Sequence, residues 1–309
     1  MGKRHDNSLY SQEEIGVSSA CVELKLAEFW KFYISGRREG GYANFGNELK
    51  SLGEIAALFN GEEFCRLALG YFIDKFDFKN TNLDLPGYFK DVYEREFSRM
   101  KKNMNPGSGF SFSLGNDRFV KDLAIAGGRL IPIGPGLVEV GGFPRRLLWS
   151  GGIRQFFKFA KFYFLRARRN FPYLEIHTHL ENVQEFNELG WKDAYYKVAD
   201  ILSMNSFLRG VFRGSWFVDP VISKICPHLS YIRDFPVSWG AESFYYSTEG
   251  GSSDAISSSK TRRRLFEENK YEPKVYVLIW PRLSILRFAK KPRGVCFSSP
   301  DSYGFRNDI

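Results

Sequence analysis

The sequence is poor in the residues that build disulfide and metal frameworks. Of 309 residues, four are cysteine and four are histidine. Cys21, Cys65, Cys226 and Cys296 are widely scattered, with no CxxC pair. That spacing excludes a cysteine-only zinc site and points to reduced thiols in a reducing compartment. Long apolar runs are missing too. The best, Leu130 to Val138, is nine residues long and holds two prolines and two glycines, whereas a spanning helix needs roughly 20 residues. The opening Met-Gly-Lys-Arg-His-Asp has no apolar core behind it. No secretory signal is therefore expected, and Gly2 without a second anchor signal does not predict a lipid. The expected location is cytoplasmic, with the membrane surface as a peripheral site. No Walker loop, GxGxxG or GxSxG occurs, which removes the best-marked nucleotide and serine-hydrolase classes.

What is present suits an ordered globular chain. Hydrophobic residues make up 43% and charged residues 26%, and Phe occurs 30 times, so a large aromatic core is expected. The net charge of +9 is unevenly spread. Residues 1–120 balance at −1, and residues 121–309 carry +10. An anionic partner is expected in the second part: an anionic small-molecule ligand such as a phosphorylated cofactor, an acidic lipid surface or nucleic acid.

The apolar spacing predicts helices over 21–38, 50–72 and 87–100, then a turn-rich linker at Asn103–Gly109. Strands are expected at 119–133 and 137–140, followed by a long helix at 153–169. Strand and helix then alternate: strands at 173–179, 210–217, 243–247 and 274–280, with helices between them at 191–204, 219–231 and 254–269. This order predicts an α/β fold, a mixed sheet flanked by helices in three layers with an N-terminal helical part. The expected divisions are a helical part over 1–105, an α/β core over 106–282 and an irregular tail over 283–309.

Three constellations could carry chemistry. On a strand, Glu175, His177 and His179 fall on one face by period two. They could act as metal-free acid–base groups, or Glu175 and the two imidazoles could hold a metal, with His228 as a further ligand. A polar strand end satisfied by loop backbone is the structural alternative. Arg145, Arg146, Gly151, Gly152 and Arg154 precede the long helix, a pattern that can cradle phosphate on backbone N–H groups. The segment 145–169 holds eight basic residues and no acid. Ile153, Phe156, Phe157, Ala160, Phe164 and Ala167 form an apolar stripe along it, facing either a core or an anionic bilayer. The third is Glu249–Arg264, a Gly/Ser loop entering a basic helix. Aromatics are not interleaved with the basic residues in the manner of an RNA-binding sheet, so a nucleic-acid partner is not expected. Oligomeric state is not encoded legibly.

From about residue 50 to 217 the order of elements resembles the GNAT acyltransferase superfamily. In that family a loop after the fourth strand cradles the pyrophosphate of an acyl-CoA, and Arg146, Gly151 and Gly152 stand in its place. The spacing from Arg146 to Gly151 is longer than the family's Arg/Gln-x-x-Gly-x-Gly/Ala. The resemblance implies transfer of an acyl group from a CoA- or carrier-linked thioester, a co-substrate rather than a tightly bound cofactor, to an amine. Glu175, His177 or His179 would take the amine proton, and Tyr195 or Tyr196 would protonate the leaving sulfur. The alternatives are a metal-dependent hydrolase or oxygenase on Glu175, His177 and His179, and a non-enzymatic basic module that binds anionic membrane or a protein partner.

Overall fold

The computed structural model describes residues 19–35, 42, 53, 61–249 and 254–290. The expected frayed N-terminus, much of the segment 36–60 and the tail beyond 290 lie outside them. The chain divides into two compact units. One comprises residues 1–80 and 97–128, and the other 81–96 and 129–309. This differs from a simple break near 105, because helix Phe89–Asn103 belongs to the second unit in its first half and to the first in its second.

The first unit is helical among its described residues. Helices α1 (Ser19–Ser35) and α2 (Gly61–Lys75) pack through aromatic rings, with Phe72 stacked on Phe29 and edge-on to Tyr33, and α4 (Asp117–Ala126) packs against α2. Residues 119–126 correct the sequence reading. They form a helix, not a strand, because Asn116 caps it by accepting from the Arg118 N–H. Its β-branched and aromatic residues are simply core.

The second unit holds the sheet. After the first half of α3 (Phe89–Asn103) come β1 (Ile131–Pro132), β2 (Gly136–Gly141), the short α5 (Leu147–Ser150) and α6 (Gly152–Phe162). There follow β3 (Tyr173–Thr178), α7 (Glu188–Met204), β4 (Gly210–Ser215), α8 (Ile222–Ile225) and α9 (Tyr231–Ser238). The unit ends with β5 (Glu242–Thr248), α10 (Asp254–Ser257), α11 (Lys260–Glu267), β6 (Lys274–Pro281) and α12 (Arg282–Ala289). The start of the expected tail, residues 283–289, is thus helical. The strands run in the order β1-β2-β3-β4-β6-β5, all antiparallel except β3 with β4. The α/β class and the mixed sheet expected from the sequence are what the structure has.

Side-chain alternation gives the sheet two faces. Tyr173 and Phe212 join Phe159, Phe162 and Phe244 in a core under α6. On the opposite face Trp280 meets Tyr195 of α7 and Phe288 of α12.

Candidate functional site

The parallel pair at the centre of the sheet is short. Only Leu174 with Val211 and Glu175 with Phe212 stand in register. Strand β3 continues to Thr178, paired outward with β2, and β4 continues to Ser215, paired outward with β6. The two strands therefore diverge over their C-terminal halves, leaving inner edges without a ladder partner.

Polar groups collect at this divergence. On the α6 face, Glu139 of β2 lies directly opposite Glu175 of β3. The Glu139 carboxylate is 2.7 Å from Nε2 of His177. Ligand atoms of Glu139, Glu175 and His177 all lie within 4.8 Å of one another. Burial raises the Glu175 carboxyl above its ordinary range. The nearby His177 opposes that shift, and the Glu139 charge adds to it. Two carboxylates and an imidazole in one small space can share a proton, relay it, or ligate a divalent cation.

On the α7 face stands Arg213 of β4, 3% exposed. One Nη donates to Thr178 Oγ1 at 2.8 Å, bridging the divergence. Its guanidinium lies over the rings of Trp191, at 4.5 Å, and Phe217, at 5.3 Å. The other Nη has no hydrogen-bond partner, nor does Trp191 Nε1. No carboxylate pairs with Arg213 among the described residues. Burial pulls its pKa down to about 10, against the opposing influence of Tyr195 and Tyr231. A desolvated guanidinium without a counter-ion is costly unless something anionic or strongly dipolar meets it.

The expected site residues are redistributed. Glu175 and His177 come together, but His179 leaves them. The strand ends at Thr178, and the His179 N–H donates to the Pro135 carbonyl as the chain turns into a 3-10 helix. The His179 ring is 2% exposed and bonds Glu96 of α3 at 3.1 Å, while Asn182 bonds the same carboxylate. Its role is structural. Tyr195 and Tyr196 are buried in α7. The Tyr195 hydroxyl donates to the Ile232 carbonyl, burial raises its pKa, and the Tyr196 ring packs on Phe288. His228 is exposed on a 3-10 turn, away from the cluster.

The Arg/Gly loop is displaced further. Gly141 pairs with Tyr173 and Gly136 with Thr178. The loop after β2 therefore lies at the Tyr173 end of β3, roughly 7 Å of strand before Glu175, where the divergence begins. Gly151 separates α5 from α6, and Gly152 opens α6. The Gln155 side chain donates to the Leu147 and Tyr245 carbonyls and accepts from the Tyr245 N–H, tying the start of α6 to β5. Arg145 and Arg154 are exposed, and Arg146 stacks on Tyr246 at 4.0 Å. Arg262, from the third constellation, is buried. It donates to the Ala255 carbonyl and Ser258 Oγ and lies over Trp216, which makes it a structural clamp.

Sequence reasoning missed Glu139 and Arg213. Each left a faint signal, a lone charge inside an otherwise apolar strand. No helix among the described residues is long and apolar enough to cross a membrane. No protein-family model, curated protein or solved structure matches this chain.

Proposed function

We propose that the divergence of β3 and β4 is a thioester site, where an acyl group passes from a CoA- or carrier-linked thioester to an amine. The observation that carries this reading is the two-register parallel pair with charge on both faces. An unpaired strand edge binds extended chains through backbone-type hydrogen bonds. The pantetheine arm of such a thioester is slender and carries two amide groups, so it suits that edge. Glu175 or His177 takes a proton from the amine, whose nitrogen attacks the thioester carbon. The C–N bond forms, the C–S bond breaks, and the thiolate takes its proton from water. Arg213 supplies positive potential for the oxygen that becomes negative on the way. Glu139 orients the His177 ring. The thioester is a co-substrate, and the reaction runs in the cytoplasm.

The close grouping of Glu139, Glu175 and His177 favours one second reading, a divalent metal centre serving a hydrolase or oxygenase. One assay separates the two. Thiol release is followed with a panel of acyl-CoAs and amine acceptors, with and without a chelator. Acyl transfer that survives chelation and falls by about 10²–10⁴-fold in His177→Ala supports the proposal. Activity lost to chelation and restored by added metal supports the metal reading. Absence of any thiol release across the panel, from folded protein, rejects acyl transfer from CoA.

A further inference from the structure

The long basic helix has two apolar faces, and only one of them is used by the fold. Phe159 and Phe162 point inward and pack on Phe244 of β5, with ring centroids 5.0 and 5.2 Å apart. The stripe read from the sequence is divided: Ala167 joins this core, Phe156 and Ala160 are half-buried, and the rest points the other way. Ile153, Phe157 and Phe164 face solvent, with Phe157 65% and Phe164 74% exposed. Ile153 and Phe157 stand one turn apart on α6, and Phe164 follows in the π-helical segment Tyr163–Ala167. Trp149 of α5, itself exposed, packs on Phe156 at 4.9 Å and extends the patch. Single exposed rings are ordinary, but a contiguous row of them marks an interaction surface.

The charges around the row have one sign. All eight basic residues of 145–169 are exposed. Glu242 engages Arg166 at 2.9 Å and lies 3.9 Å from Lys158. Arg145, Arg154, Lys161, Arg168 and Arg169 have no acidic partner among the described residues. At 100° per residue, Arg154 and Lys161 lie together along one side of the Ile153–Phe157 row.

We propose that α5 and α6 dock on an anionic lipid bilayer, with Trp149, Ile153, Phe157 and Phe164 entering the headgroup–acyl boundary and the flanking cations meeting lipid phosphates. An interfacial helix needs this combination of a ring-rich face and a cationic rim. The helix, 11 residues long, lies on the surface because it is too short to span. A second copy of this chain is disfavoured as the occupant. A two-fold interface sets the same patch against itself, and here that would oppose cation with cation. The proposal is independent of the acyl-transfer reading.

The test is flotation of the full chain with vesicles of phosphatidylcholine alone, or of phosphatidylcholine mixed with phosphatidylserine. Binding to the mixed vesicles only, weakened by salt, is expected. Phe157→Asp with Phe164→Asp should abolish it, and Arg154→Glu with Lys161→Glu should weaken it by about tenfold or more. Both double variants should melt like the parent, since every altered residue is exposed. No flotation with mixed vesicles overturns the proposal. So does flotation unchanged in both double variants. Concentration-dependent self-association in sedimentation, lost in the Phe157/Phe164 variant and unaccompanied by flotation, overturns it in favour of a second copy. Salt-sensitive capture of an acidic protein by the same patch, again without flotation, overturns it in favour of a protein partner.

Discussion

At the Thr178 end of β3, charge is inside: Arg213, His179, Glu96 and Glu139 are all buried. At the Tyr173 end, aromatic rings are outside, along α6. Both arrangements run against ordinary partition, but for different reasons. Buried charge persists when partners satisfy it, as Glu96 and Asn182 do around His179, and it signals a ligand when they do not, as at Arg213. Exposed rings cost little in the isolated fold and signal a surface that covers them. Unsatisfied groups of either kind are thus better pointers to function than the types of residue present.

The comparison is broken most severely by removing a satisfied buried group. His179→Ala takes a buried partner from the Glu96 carboxylate, and should cost about 3–5 kcal/mol in urea unfolding. His177→Ala, at a half-buried ring, should cost well under that while removing activity. Equal losses for the two histidines would erase the distinction between structural and chemical imidazole.

Along α6 the same contrast appears within one helix. Phe159→Ala opens a cavity against Phe244 and should destabilise by about 3–5 kcal/mol. Phe157→Ala should stay within about 0.5 kcal/mol of the parent. Comparable losses by chemical denaturation would mean that the outer row is covered within the fold.

Arg213→Met sharpens the other end. Because no acid among the described residues balances the guanidinium, stability should hold or rise, since an apolar replacement of a buried charge is often neutral or stabilising. Thioester binding, measured by calorimetry, should weaken by about 1.5–3 kcal/mol, the range for a hydrogen bond to a charged group. A large loss of stability would show that Arg213 is already satisfied.

The smallest effect concerns pH. The Glu175 carboxyl is raised in the fold, so the folded state holds its proton more tightly than the unfolded chain does. Its stabilising contribution is complete below the unfolded carboxylate pKa and is lost as pH rises through the raised folded value. Glu175→Gln should flatten that part of the stability–pH curve. An unchanged curve would place Glu175 in a more hydrated setting.

Much of the fold was legible because it rests on local periodicity. Alternation put Glu175 and His177 on one face, and the strand–helix order gave the mixed sheet. Residues 119–126 misled because Phe, Val and Ile favour strands, while the cap at Asn116 decides for helix. Two features are non-local and leave no spacing to read. Glu139 meets Glu175 through a register set by strand pairing, and Arg213 meets Thr178 only because β3 and β4 part. The orientation of α6 was hidden for another reason. Its aromatic residues surround the helix, and only the presence of Phe244 beneath it chooses Phe159 and Phe162 as the inner pair.

The account turns on where a thioester binds, and amide hydrogen exchange measures that directly. With an acyl-CoA bound, peptides spanning 173–179 and 210–216 should gain protection, because the inner strand edges acquire partners, while 145–154 should exchange as before. Protection confined to 145–154, with the two strand peptides unchanged, would contradict the account and return the ligand to the arginine–glycine loop.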